Sequence, residues 1–204
     1  MIDTPFRARF ARWARPIADG MVALGVTPNQ ITWAAFLLAI PAAWLVGIGA
    51  GWAGLALWLS SRLLDGLDGL VARSGNTASS FGGYLDMTLD MAAYAAMAVG
   101  FGVAHQEHAT LFYLILMGYV LAGTTVLALS SILEREKAQL EGNDRTLQLT
   151  PGLAEAGETT IAYSLFTLFP AQIEWLAWGW IAILGATVVQ RTMLARRLLD
   201  GGER

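Results

Sequence analysis

D-G-L-D-G-L-V-A-R-S-G-N-T-A-S-S-F-G-G-Y-L-D-M-T-L-D, from Asp65 to Asp90, is the stretch around which the chain is organised. It sets Asp65, Asp68, Arg73, Asp86 and Asp90 between long apolar runs, where charge is expensive and needs a partner. Asp65 and Asp68 stand at i, i+3 and Asp86 and Asp90 at i, i+4, so on helices each pair shares one face. Two facing acidic pairs suggest a metal site. The turn between them, residues 74–80, is rich in Ser, Gly and Asn.

Working outward, the surrounding chain sets the solvent. Of 204 residues 55% are hydrophobic and only 14% charged, and mean hydropathy is +0.51, too apolar for an ordinary soluble domain of this size. Six apolar stretches approach the ~20 residues needed to cross a bilayer. They fall at about residues 31–48, 52–71, 81–104, 110–133, 159–170 and 175–194. The fifth is the shortest, and reaches full length only by taking in Glu155 and Glu158.

The connections alternate in charge. Residues 47–54, 102–109 and 169–174 hold no Lys or Arg. All 13 lie in the N-terminal segment, the turn around Arg62 and Arg73, the segment with Arg135, Lys137 and Arg145, and the tail with Arg191, Arg196, Arg197 and Arg204. The positive-inside rule then gives six transmembrane helices with both termini cytoplasmic, in an all-α integral membrane protein of the inner membrane. The acidic stretch lies at the cytoplasmic edge, where nucleotides and Mg²⁺ are available. Before the first span, Phe6, Phe10, Trp13, Ile17 and Leu24 recur at helical spacing, with Arg7, Arg9, Arg12 and Arg15 largely elsewhere. This predicts an amphipathic helix in the membrane interface. The expected organisation is residues 1–30 as that helix and its turn, 31–195 as the six-helix domain and 196–204 as a cytoplasmic tail.

A carboxylate at the centre of a membrane helix costs ~2.5 to 3.5 kcal/mol on insertion scales, so four in neighbouring helices need cations. Arg62 and Arg73 cannot neutralise all four. Oxygen ligands favour Mg²⁺, Mn²⁺ or Ca²⁺, and the absence of cysteine removes thiolate sites. Four carboxylates balance two divalent ions, the clamp suited to displacement at phosphorus. Arg73 adds a planar donor for a diphosphate, while Gly66, Gly69, Ala72 and Gly82 leave room for a nucleotide against the backbone.

As a pattern the stretch is D-x2-D-G-x2-A-R-x8-G-x3-D-x3-D, supplied by Asp65, Asp68, Gly69, Ala72, Arg73, Gly82, Asp86 and Asp90. It resembles the CDP-alcohol phosphotransferase (CDP-alcohol phosphatidyltransferase) family at every fixed position, and G-V-T-P-N-Q-I-T before the first span is similar too. The resemblance implies an enzyme of phospholipid synthesis, a transferase of substituted phosphate groups. An alcohol hydroxyl would attack the β-phosphate of a CDP-alcohol, with CDP-diacylglycerol the expected donor, and CMP would leave. It further implies that Asp65, Asp68 and Asp86 bind two divalent ions, Mg²⁺ or Mn²⁺, and that Asp90 is general base and further ligand. Asp65, Gly69, Ala72, Arg73 and Gly82 would hold the CDP moiety, and the enzyme would be a homodimer in the lipid bilayer. Nothing points to nucleic acid.

The acceptor alcohol is written elsewhere. A phosphorylated acceptor, glycerol phosphate or inositol phosphate, needs a cation, and Arg191 near the end of span six is the candidate. In T-P-G-L-A-E-A-G-E-T-T, Glu155 and Glu158 stand at i, i+3 before span five and would repel a phosphate. They equally suit the start of a helix. The acids tilt the expectation toward a neutral or cationic alcohol. A divalent-cation transporter would also place acids within spans, but the acids here cluster at one face and no internal repeat is visible.

Overall fold

A computed structural model describes residues 3–140 and 156–200, with side chains from residue 10 to 135 and from 156 to 200. Among the described residues the chain is helical throughout, as α1 (Asp3–Ala23), α2 (Pro28–Gly47), α3 (Gly51–Ser74), α4 (Ser80–Ala104), α5 (Ala109–Leu140), α6 (Ala156–Leu168) and α7 (Ile173–Asp200). Single 3₁₀ turns, Gln106–His108 and Pro170–Gln172, open α5 and α7. Helices α2 to α7 overlie the six predicted stretches. Residues 196–200, predicted as tail, continue α7.

The G-V-T-P-N-Q stretch is a stop followed by a start. Gly25, at φ +75°, follows the end of α1 in a conformation only glycine adopts without strain. Thr27 then caps α2 by accepting from the Gln30 amide, the Gln30 side chain accepts from the Thr27 amide at 2.9 Å, and Pro28 occupies the first turn. At the other end of the acidic stretch, Ser79 Oγ accepts from the Gly82 amide at 3.0 Å and opens α4.

Helices α2, α3 and α4 pack closely because their contact faces are built of small residues, Ala35, Ala39, Ala42, Ala43, Gly54 and Gly100. A Cβ on Gly54 would lie 3.0 Å from the Ala42 carbonyl oxygen. The interior is filled by aromatic rings, Trp58, Tyr94, Phe101, Phe112, Tyr163 and Phe166, in edge-on and offset contacts. Two polar ends among the buried rings are paired within the bundle, while Trp58 Nε1 is buried without a hydrogen-bond partner. Tyr163 donates to the Tyr94 carbonyl at 2.8 Å, and Trp180 Nε1 to the Tyr119 hydroxyl at 3.0 Å.

Large apolar side chains also cover the outside. Leu37, Trp44, Val103, Val120 and Trp175 are all more than half exposed, as in a protein solvated by lipid. Among the described residues, four helical segments are long and apolar enough to cross a membrane, Pro28–Gly47, Ser80–Ala104, Gln106–Arg135 and Pro170–Asp200. Helix α3 differs from them by the charges of Arg62, Asp65, Asp68 and Arg73, and α6 by its length of 13 residues, about 20 Å at 1.5 Å per residue.

Helix α1 packs along α3 through Ala14 and Ala18, both fully buried against Ile31, Leu67, Leu70 and Val71. Beside this small-residue face, Trp13 (70% exposed), Ile17 and Leu24 (83%) point away from the protein, and Arg12 and Arg15 are exposed. Of the apolar face read from the sequence, Phe10 packs against the protein, whereas Trp13, Ile17 and Leu24 do not and remain available to an interface.

Candidate active site

The last turns of α3 and the first of α4 bring the acids together. Oxygen atoms of Asp65, Asp68 and Asp86 all lie within 4.8 Å of one another. Three hard, negatively charged donors this close fit a divalent cation of the Mg²⁺ or Mn²⁺ class. Asp68 is the most enclosed, 7% exposed, and its Oδ2 accepts from the Thr32 hydroxyl of α2 at 2.6 Å. That bond orients one carboxylate of the cluster from a third helix.

Two cavities meet at this cluster. One, of about 220 Å³, lies between the α2 cap and the Ser-Gly-Asn turn, lined by Asn29, Thr32, Ala72, Arg73, Ser79 and Gly82 with Asp68 and Asp86. The other, of about 260 Å³, lies toward α1 and α6, lined by Phe10, Asp65, Gly66, Asp90 and Ala156. Asp68, Gly69, Arg73 and Asp86 line both. The walls are thin where backbone must approach. A Cβ on Gly69 would lie 3.3 Å from Arg73 Nη1, and one on Gly82 3.1 Å from Ser79 Oγ and 3.2 Å from Asn29 Oδ1. A Cβ on Gly66 would press on the ring of Phe10 at 3.0 Å, so this glycine also lets α1 close over the second cavity.

Asp90 is held differently. Its Oδ1 accepts from Arg62 Nη1 and its Oδ2 from the Tyr94 hydroxyl at 3.0 Å. Arg62 also reaches Asp65 Oδ2 at 3.6 Å, and its guanidinium lies over the rings of Trp58 (4.7 Å) and Tyr94 (5.4 Å).

All eight motif residues therefore lie in or around one cleft. Of the acceptor candidates, Glu155 falls outside the described residues. Glu158, half-buried in the first turn of α6, lines neither cavity, although Ala156 two residues earlier does. Arg191 extends the buried face of α7 marked by Trp180, Leu184 and Thr187, and its Nη1 donates to the Ala122 carbonyl of α5 at 3.0 Å. Four contributors escaped the sequence reading, namely Thr32, Arg62 as a constituent of the site, Tyr94 and Ala156. Arg62 alone left a usable signal, three residues before Asp65 on the same helix face.

Paired helices carrying a carboxylate cluster between two cavities, inside a lipid-solvated bundle, define a membrane-embedded phosphotransferase class rather than a soluble enzyme. The comparisons make the class specific: residues 25–191 match the CDP-alcohol phosphatidyltransferase family, and the chain belongs to it. Inner membrane protein YnjF of Escherichia coli is 32% identical over 72% of this chain and 72% of its own length. Archaetidylinositol phosphate synthase of Pyrococcus horikoshii is 30% identical over 91% of this chain and 92% of its own. Among solved structures, phosphatidylinositol phosphate synthase of Mycobacterium tuberculosis with CDP-DAG bound shares the fold, with a TM-score of 0.65 at 24% identity, covering 91% of this chain and 94% of that one. The same enzyme in complex with manganese and citrate gives a TM-score of 0.64 at 22% identity, over 89% and 88%. The protein is an integral membrane transferase of phospholipid synthesis that moves a phosphatidyl group from a CDP-alcohol. This family assignment leaves the transporter reading without support.

Proposed function

We propose that the donor is CDP-diacylglycerol, with its cytidine and diphosphate in the cavity beside Arg73, Ser79 and Gly82. The acceptor alcohol then enters through the cavity that Asp90 and Ala156 line. The observation that carries this reading is the placement of the acidic cluster at the junction of the two cavities, with Asp90 on one side only. Asp90 takes the proton of the attacking hydroxyl. The hydroxyl oxygen bonds to the phosphorus that carries diacylglycerol, the bridging P–O bond breaks, and CMP leaves with the electron pair. Arg73 and the amides of the α4 first turn hold the diphosphate, and Asp65, Asp68 and Asp86 would hold two divalent ions; we leave Asp90, expected from the sequence as a further ligand, to the base role, because Arg62 and Tyr94 engage both its oxygens. When bound, those ions supply Lewis-acid charge to the diphosphate.

We assign the site to the cytoplasmic side of six spans, because residues 47–54, 102–109 and 169–174, on the other side, hold no Lys or Arg. The assembly we expect is a homodimer. For the acceptor, the names of the relatives tilt the choice toward a phosphorylated polyol such as inositol phosphate, against the expectation drawn from Glu155 and Glu158. Arg191 is the residue we assign to its phosphate. The test is purified protein with Mn²⁺, CDP-diacylglycerol and a panel of alcohols, reading CMP and the mass of the lipid product. Metal-dependent CMP release with inositol phosphate is expected. A product from neutral or amino alcohols alone would overturn the acceptor assignment, and no CMP release across the panel would overturn the reaction.

A further inference from the structure

Arg62 is the one charged residue of the cluster that lines neither cavity. Its side chain is 7% exposed and that of Asp90 17%, so it stands behind Asp90, away from where substrates enter. Although its buried Nε has no hydrogen-bond partner, its other contacts fix its plane. Nη2 donates to Ser61 Oγ at 3.0 Å, Ser61 is in turn tied to the Ala35 carbonyl of α2 at 2.7 Å, and two aromatic faces flank the guanidinium. The fixed plane directs Nη1 at Asp90 Oδ1, while Tyr94 occupies Oδ2. Each oxygen of Asp90 thus has one donor, from a different helix.

We propose that Arg62 is a positioning residue for the reaction, which sets the orientation of Asp90 through a guanidinium held against the rings of Trp58 and Tyr94. The inference rests on the reading of Asp90 as the base. A positive-inside anchor would be exposed and free to move; this arginine is buried, stacked and aimed. A lysine at the same position keeps the charge but offers no planar fork to join Asp90, Ser61 and the rings at once. Holding a base through such a support matters because a misplacement on the order of 1 Å can cost ~10²-fold in turnover.

The experiment compares wild type, Arg62→Lys, Arg62→Ala, Tyr94→Phe and Asp90→Asn in detergent or nanodiscs. It reads kcat, KM for CDP-diacylglycerol, Mn²⁺ binding by electron paramagnetic resonance, and rescue by guanidinium ion. Arg62→Lys is expected to lower kcat by about 10²-fold with KM for the donor and Mn²⁺ binding unchanged. Guanidinium should restore part of the turnover of Arg62→Ala and none of that of Asp90→Asn. Tyr94→Phe, which removes the other donor, should lower kcat less, and serves if both Arg62 variants fail to fold. Asp90→Asn with full turnover would defeat the base reading itself. An inactive Asp90→Asn beside a fully active Arg62→Lys, or beside a fully active Tyr94→Phe where the Arg62 variants do not fold, would defeat the positioning role alone. Raised KM with unchanged kcat in Arg62→Lys would do the same, by making Arg62 a donor-binding residue.

Discussion

The four carboxylates of one cleft live in two environments. Asp65, Asp68 and Asp86 bring oxygens within 4.8 Å of one another between two cavities, with the Thr32 hydroxyl behind Asp68 and Arg62 3.6 Å from Asp65. Asp90, one helical turn beyond Asp86, has both oxygens already engaged by Arg62 and Tyr94 and faces one cavity only. Three converging acids, with a single arginine reaching one of them at 3.6 Å, keep surplus negative charge and are arranged to share an added cation. The fourth, matched to an arginine, is arranged to keep a fixed orientation. The difference teaches that equal residue types in a repeated i, i+3 or i, i+4 pattern need not have equal roles, and that the partner behind each side chain separates them.

The largest expected effect falls on the converging set. Asp86→Asn removes one of the two acids that line both cavities, and should lower Mn²⁺ affinity together with CMP release, the latter by about 10³-fold. Turnover that survives this change with metal binding intact would erase the distinction between the two environments. Next, Gly100→Ala tests the scaffold apart from the site. A methyl there meets the Ala43 carbonyl, so thermal unfolding in detergent should show a loss of about 1 to 3 kcal/mol, while the folded fraction binds Mn²⁺ as wild type does. Altered metal affinity in that fraction would mean that α2–α4 packing sets the site geometry directly. The smallest effect is expected from Thr32→Val, which removes the hydroxyl behind Asp68 and should weaken Mn²⁺ binding about 10-fold, leaving kcat at saturating metal nearly unchanged.

Much of this architecture was legible in the sequence because lipid imposes simple rules. The six apolar stretches coincide with α2 to α7, and the spacing of Asp65, Asp68, Asp86 and Asp90 carried both their clustering and the family. What stayed hidden depends on distant parts of the chain. Thr32 reaches Asp68 across 36 residues, and Arg62 meets Asp90 across 28, contacts that no local period reveals. Helix α1 shows a further limit. Trp13 and Ile17 of its apolar period face outward, whereas Phe10 of that period packs inward beside Ala14 and Ala18, which are too small to register as a stripe. Acceptor identity is the least legible, since Glu158 and Arg191 stand outside both cavity linings.

The most direct test of a division between metal-holding acids and one base is a pair of titrations on Asp90→Asn. Mn²⁺ is titrated by electron paramagnetic resonance, and CMP release is followed in a single turnover with CDP-diacylglycerol and acceptor. The division predicts Mn²⁺ and donor binding close to wild type, with the rate of CMP release lower by about 10²-fold or more. Loss of Mn²⁺ binding in step with loss of CMP release would contradict it and return Asp90 to the metal-binding set.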